Sequence, residues 1–347
     1  MSDLKYLSAL SIPIIAIIGI SFHGIYSFMT PIYTFGFIPL LELILPKNNS
    51  NIPKQQQESK LKNKLFDWLL YFNIPLVYSL IALTISQLST TLLSTPELIG
   101  ITLSLGIVLS VNGINVAHEL GHRKQKFEQV FAKLLLFPSF YMHFFIEHNY
   151  GHHLNAATPE DPATAKYKQS VYHFWFTSIT KQYLSAWHIQ NHILKRQNLK
   201  FWSPKNNMFW FSIIQISALF IAFLLVSKLV FIVLVCAAIV SFLLLETVNY
   251  IEHYGLLRLK TKSGRYERVQ KKHSWNSDHI VGRIVLYELT RHSDHHYKTT
   301  KKYQILESHE ESPQLPFGYP TSMVLALCPP LWFKIMNKRV PKSMILS

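Results

Sequence analysis

Nine of the chain's 17 histidines fall in four short clusters, and their spacing is that of metal ligands. His118-Glu119-Leu120-Gly121-His122 puts two imidazoles at i and i+4, on one face if the segment is helical. Glu147-His148-Asn149-Tyr150-Gly151-His152-His153 repeats the pattern, with His148 and His152 expected on one face and His153 beside them. Glu252-His253-Tyr254 supplies a single histidine, and Arg291-His292-Ser293-Asp294-His295-His296 places three at i, i+3 and i+4. Neutral imidazole is the commonest protein metal ligand near neutral pH, and crowded protonated rings repel, so a bound cation is the simplest reason for this crowding. Carboxylates beside the clusters, Glu119, Glu147, Glu252 and Asp294, are candidates to accept imidazole N–H groups from behind the ligands. Asp161, further from a cluster, is the weaker candidate. Capping a helix or facing water is the competing role for each.

The other eight histidines carry no such spacing. His23, His143, His173, His188, His192 and His309 are expected in surface or packing roles. His273 and His279 flank Trp275 near the last cluster and are candidates to support it.

The elements that must position these side chains are set by a bilayer. Hydrophobic residues make up 49% of the 347 and charged residues only 15%, a balance that points away from an ordinary soluble enzyme. Crossing the hydrocarbon takes about 20 apolar residues, and three paired runs qualify, at approximately 7–25 and 28–45, 66–89 and 98–117, and 208–226 and 229–248. The expected fold is all-α: six transmembrane helices in three hairpins within a single membrane-embedded domain, 1–347, with His-rich segments 118–207 and 249–347 on one side. Pro31 and its polar neighbours offer the first turn; Ser94 to Glu97 and the residues around Lys228 offer the others. Leu7 to Ile25 lacks the basic start and small-residue cleavage site of a signal peptide and reads as a retained helix.

Positive residues in short loops stay on the cytoplasmic side. With both termini inside, the inner segments hold 33 of the 34 Lys and Arg residues, Lys228 being the exception. The same bias accounts for the net charge of +15 and pI near 9.6 without nucleic acid, for which no clustered recognition surface is present. The apolar stretch Leu134 to Ile146 is 13 residues long, which favours an interfacial or re-entrant segment over a span, so the first two clusters share a side. Cys236 and Cys328 form neither a disulfide framework nor a Cys-x-x-Cys site, so any iron–sulfur or rubredoxin-type centre belongs to another protein. The stretch from Lys47 to Lys64 reads as a solvated connector.

Two other chemistries compete for these residues. His118-Glu119-x-x-His122 fits the motif of a zinc peptidase with Glu119 as base, but one zinc would leave at least six of the nine histidines unused. A metal transporter would place its site near the bilayer midplane, whereas the clusters fall at the membrane edge.

The clusters and their surroundings resemble the membrane alkane monooxygenase (alkane omega-hydroxylase) family from about Leu98 to Leu331. The resemblance rests on His118 to Arg123, on His143-Phe144-Phe145-Ile146 leading into the second cluster, and on Ala157-Thr158-Pro159-Glu160-Asp161-Pro162-Ala163. Asn249-Tyr250-Ile251-Glu252-His253-Tyr254-Gly255-Leu256 is the most diagnostic piece, since membrane desaturases share His-rich boxes but not this motif. His273-Ser274-Trp275-Asn276 and Leu289-Thr290-Arg291-His292 to His296 complete it, with Arg123 and Thr290 standing where Lys and Gln are expected. The resemblance implies a non-haem centre of two iron ions ligated by His118, His122, His148, His152, His153, His253, His292, His295 and His296. It also implies hydroxylation of a terminal methyl by O2, with electrons from a separate rubredoxin or ferredoxin-type donor and its reductase. The substrate would be a medium or long-chain alkane drawn from the bilayer, and the site a bacterial inner membrane with both termini and the metal cytoplasmic. Related oxygenases act on alkyl aromatics or fatty acyl chains. An apolar channel among the helices would orient the substrate, with Phe35, Phe37, Leu105 and Leu109 as candidate walls.

Overall fold

In the computed structural model, six helices are long and apolar enough to cross a membrane: Asp3–Phe22, Gly24–Ile44, Leu65–Thr90, Thr95–Gly121, Asn207–Leu225 and Lys228–His253. Residues 3–345 are described; Met1, Ser2, Leu346 and Ser347, parts of the expected cytoplasmic termini, lie outside them. Helices are the economical answer to an apolar surrounding, because each satisfies its own backbone N–H and C=O groups where no water can. Among the described residues no sheet forms, and isolated bridges such as Lys47 with His279 and Asn276 with Gln314 are all the strand pairing present.

The first hairpin turns upstream of Pro31. The chain breaks at His23 and Gly24, which take φ of 56° and 55°, and Pro31 lies inside the second span, in the short helical stretch Met29–Ile32. A proline near the start of a helix forfeits an N–H that has no intrahelical partner there, so it is tolerated. Between the third and fourth spans the turn is fixed by a capping box: Glu97 accepts from the Ser94 N–H at 2.7 Å and from its hydroxyl at 2.6 Å. The other Glu97 oxygen takes the Gly24 N–H at 2.7 Å, which ties two hairpin turns together.

Packing is tightest between the fourth and sixth spans. A Cβ on Gly106 would stand 2.6 Å from Val240, so only glycine lets the two backbones approach this closely. Leu105, Ile107, Val108 and Ala237 are buried at this contact. The fifth span instead exposes Ile216, Phe220, Phe223 and Leu224, the surface a lipid-facing helix presents.

Between the first two histidine clusters the chain does not cross. Helix Lys126–Leu136 gives way to a tight turn at Phe137–Ser139, Phe140 takes φ 51°, and a short helix Phe144–Glu147 leads into the second cluster. As a result the His118 and His148 rings lie 4.5 Å apart. Helix Val171–Arg196 follows, capped by Ser170. It exposes Tyr172, Phe176 and Tyr183 along one strip and His173, Lys181 and His188 along another, the two-sided pattern of a helix lying in a membrane interface.

Candidate metal centre

Four segments deliver the nine histidines. The fourth span runs through a π-helical turn, Leu109–Ile114, and continues to Gly121, carrying His118 inward with His122 directly after its end. His148–His152 is itself a π turn, with the His153 N–H bonded to the His148 carbonyl. His253 ends the sixth span, and His292, His295 and His296 lie on a short helix, His292–Tyr297.

The rings sort into two groups, His118, His122, His148, His153 and His295 in one and His152, His253, His292 and His296 in the other. The second and fourth sequence clusters therefore each divide between groups. His148 and His152, expected on one face, lie 5.3 Å apart but in different groups, because i→i+5 bonding brings His153 closer to His148, at 4.5 Å, and leaves His152 to the second group. All nine rings point inward with Nε2. His118 Nε2 lies 2.9 Å from His295 Nε2, and His153 Nε2 lies 3.1, 2.9 and 3.2 Å from those of His122, His148 and His295. In the second group His152–His296, His253–His292 and His292–His296 are 3.2, 3.2 and 2.9 Å apart.

These contacts are not hydrogen bonds in the ordinary sense, since one ring nitrogen donates at most one N–H and His153 meets three neighbours. They fit metal coordination. Nitrogens bound to one ion at about 2.1 Å and at right angles stand about 3.0 Å apart, which is the spacing seen. Burial, followed by the neighbouring His152 ring and the Arg123 guanidinium, brings His122 down to about 3. Burial and neighbouring rings hold His148, His153, His292, His295 and His296 well below 6.5. These six rings are thus neutral at physiological pH, with lone pairs free for a cation.

The carboxylates separate from the expectation one by one. Asp161 is the one bonded to the rear of a ring: its Oδ2 lies 2.9 Å from His152 Nδ1 and accepts from the Thr164 hydroxyl at 2.5 Å. Glu252 approaches a front face instead, with Oε2 3.2 Å from His292 Nε2 and Oε1 accepting from Tyr319 at 2.8 Å. Glu119 turns away to Arg123 at 2.9 Å and the Tyr303 N–H at 3.2 Å, which removes it as the base of a zinc peptidase. Asp294 pairs with Lys301 at 2.7 Å and His309 at 2.9 Å. Glu147 is fully buried beside Gly151, and burial, then Asp161 and Glu246, pushes its carboxyl well above the ordinary range. His273 bonds Glu267 through its ring while its backbone meets the His253 side chain, and His279 bonds Ser277. Asp294, Glu307 and His309 also converge, but the Lys301 ammonium already sits between Asp294 and Glu307, making this an ion network that braces the last cluster.

A narrow cavity of about 70 Å³ runs from among the helices to His118, His148, His292 and Glu252. Its walls are mostly apolar, including Val111, Phe144, Leu244, Val248 and Val285, the character of a small-molecule site. Phe35, on a π turn of the second span, lines it; Phe37 faces outward, and Leu105 and Leu109 are buried behind the wall. Tyr319 and Met323 close it from beyond the last cluster. The sequence analysis marked neither of these two, which lie on the short helix Tyr319–Ala326. A shallow apolar groove on the outer surface shares Phe35, Leu244 and Met323 with the cavity.

Six apolar helices that gather two groups of inward-facing histidines at one end define an integral membrane protein with histidine metal sites. Residues 94–323 match the fatty acid desaturase family. Within that superfamily the chain belongs to the alkane 1-monooxygenase family, and it is therefore a membrane monooxygenase, an oxidoreductase. It is 38% identical over 97% of its length to the alkane 1-monooxygenase of Acinetobacter baylyi, covering 85% of that protein, and 37% identical over 91% to that of Pseudomonas putida, covering 79%. It is also 26% identical over 94% of its length to the hydroxylase component of the Pseudomonas putida xylene/toluene monooxygenase, covering 86% of it. The relationship extends well beyond the stretch from Leu98 to Leu331 that carries the motifs.

Proposed function

We propose that this chain hydroxylates the terminal methyl of medium or long-chain alkanes to primary alcohols, using O2 and electrons from a rubredoxin or ferredoxin-type donor. The observation that carries this reading is the meeting of an apolar cavity with both histidine groups at one end. In it, His118, His122, His148, His153 and His295 hold one iron ion, and His152, His253, His292 and His296 hold the other. Bound there, the two ions would supply the activation of O2 by two electrons. Asp161 orients the His152 ring, and Tyr319 fixes the Glu252 carboxylate at the junction between cavity and histidines.

An alkane has no group to hydrogen-bond, so the chain's task is to exclude water and hold the substrate end-on. The two asparagines that line the cavity are engaged elsewhere, Asn115 donating to the Leu286 carbonyl and Asn249 to Glu246. The groove that shares Phe35, Leu244 and Met323 with the cavity supports entry sideways from the bilayer. Electrons enter at the opposite edge, where His122 and His153 are the partly exposed rings. Tyr150, Leu154 and Tyr297 are exposed around them, with Lys124, Lys126 and Lys298 nearby in the chain, a surface suited to an acidic carrier. This edge and both termini face the cytoplasm of a bacterial inner membrane, a reading supported by the distribution of Lys and Arg, and spans and histidine segments act as a single domain.

The 26% identical relative that oxidises xylene and toluene by its name favours a second reading, an alkyl aromatic substrate in the same apolar cavity. Metal analysis of purified protein, followed by turnover of octane and of toluene with O2 and a reducing system, tests both. About two irons per chain and 1-octanol support the proposal. Benzyl alcohol alone transfers it to the second reading, and one zinc without oxygenation refutes both.

A further inference from the structure

A second cavity, polar and about 240 Å³, lies where the first span begins, behind the helix that bears the last histidine cluster. Four cations line it, Lys5, Lys60, Arg283 and Arg291, against two carboxylates, Asp3 and Glu288, a local balance of +2. The carboxylates are taken. Asp3 pairs with Lys60, while Glu288 is gripped by Arg283 at 2.8 and 3.1 Å, meets Arg291 at 3.5 Å and accepts from Tyr6 at 2.6 Å. Among the described residues no carboxylate lies within ion-pair distance of Lys5, whose ammonium rests over the Tyr6 ring.

The cavity also holds polar groups that the chain leaves unmatched. Gln304 is 2% exposed and lines the cavity, yet neither its amide nitrogen nor its oxygen has a partner. The two guanidiniums spend part of their donors on backbone carbonyls, Arg283 on Asn48 and Arg291 on Ser50 and Leu306. Each guanidinium has five N–H donors, so others remain. Unpaired buried donors, an unneutralised ammonium and a net positive cavity describe a receptor for an anion with several acceptor oxygens. Its place is the head of a membrane span, flanked by the exposed side chains of Leu4 and Leu7. Basic pockets between helices at this level suit lipid headgroups.

We propose that this cavity binds a phosphate ester, with Lys5, Arg291 and Gln304 as its recognition groups, supplied either by an anionic phospholipid of the surrounding leaflet or by a soluble phosphate. The site is separate from the histidine clusters and takes no part in oxygen chemistry. Occupancy would brace the loop at 48–53 against Arg291, one residue before His292.

The test uses the full chain in nanodiscs of phosphatidylcholine, with or without phosphatidic acid, and in phosphatidylcholine discs with added inorganic phosphate. Bound lipid is counted by native mass spectrometry, and stability is read from the thermal midpoint. The wild type should retain phosphatidic acid or be stabilised by phosphate, and Lys5→Met should lose about tenfold or more in affinity, the scale of one charge-assisted contact. Lys262→Met, at an exposed lysine elsewhere, should change nothing. A response to phosphatidic acid alone assigns the lipid source, and a response to phosphate assigns the soluble one. Equal binding by wild type and Lys5→Met, or an equal loss in Lys262→Met, overturns the site. If Lys5→Met does not fold, Gln304→Leu, which removes both amide atoms without changing charge, decides in its place.

Discussion

Asp161→Ala should weaken one metal position and spare the other. Asp161 Oδ2 is the acceptor for His152 Nδ1 at 2.9 Å, in a ring only 1% exposed, and the same carboxylate takes the Thr164 hydroxyl at 2.5 Å and the Ala163 N–H at 3.2 Å. Truncation leaves Nδ1 without an acceptor and frees the ring to rotate. Loss of such an outer partner typically lowers metal affinity 10–100-fold, or about 1.4–2.7 kcal/mol. Asp161 bonds a ring of the four-histidine group and none of the five-histidine group, so the loss falls on one ion. Chelator-stripped protein titrated anaerobically with Fe(II), with iron counted per chain after desalting, should show stoichiometry falling from about two towards one. Asp161→Asn keeps a neutral acceptor and should fall between the two. Equal weakening of both ions, or unchanged occupancy at limiting iron, would refute the assignment of Asp161 to His152.

His253→Ala removes one of only four rings in its group and should abolish hydroxylation while one iron per chain remains; full activity would strike His253 from the ligands. Phe35 separates the inner cavity from the outer groove, so Phe35→Ala should shift turnover towards longer alkanes, read by chromatography of the alcohols from a mixed-alkane feed. An unchanged chain-length profile would show that Phe35 does not bound the substrate. The metal-free protein should also be acid-sensitive. His122 titrates near 3 when folded and near 6.5 when unfolded, so the unfolded chain binds more protons between these values. Stability from this source is complete above about 6.5 and declines as pH falls towards 3. Melts of stripped protein from pH 8 to pH 5 should show a falling midpoint, and a flat profile would contradict the buried, neutral rings.

The spans and the convergence of the four histidine clusters are legible in the sequence because both rest on strong signals: long uncharged runs, and pairs at i and i+4. The carboxylates are not. Glu119 and Asp294 were candidates because they adjoin histidines, but neighbours along a helix point about 100° apart and do not share a face. Adjacency therefore argues against contact, and these two meet Arg123 and Lys301 instead. Asp161 succeeds from outside the cluster, because the turn at Thr158–Thr164 folds back on His152. The inner cavity was legible only at Phe35. Val285, Tyr319 and Met323 come from short helices after the last span, where no hydropathy period announces which side will face a substrate.

The division of nine histidines into five and four follows from a feature that an α-helical period cannot express. Three π turns surround the site: Tyr33–Phe37 presents Phe35, Leu109–Ile114 presents Ser110 and Val111, and His148–His152 presents the ligand candidates. In a bilayer a kinked or open backbone exposes unpaired N–H and C=O groups at high cost. A π turn widens the helix by one residue per turn while keeping its bonds internal, so it re-aims side chains without that penalty. At His148 the consequence is direct: an α-helical turn would bring His148 over His152, whereas i→i+5 bonding brings it over His153 and releases His152 to the second group, against Asp161. A substitution that restores α-helical bonding here would therefore misplace His152 and His153 together, even with every histidine retained.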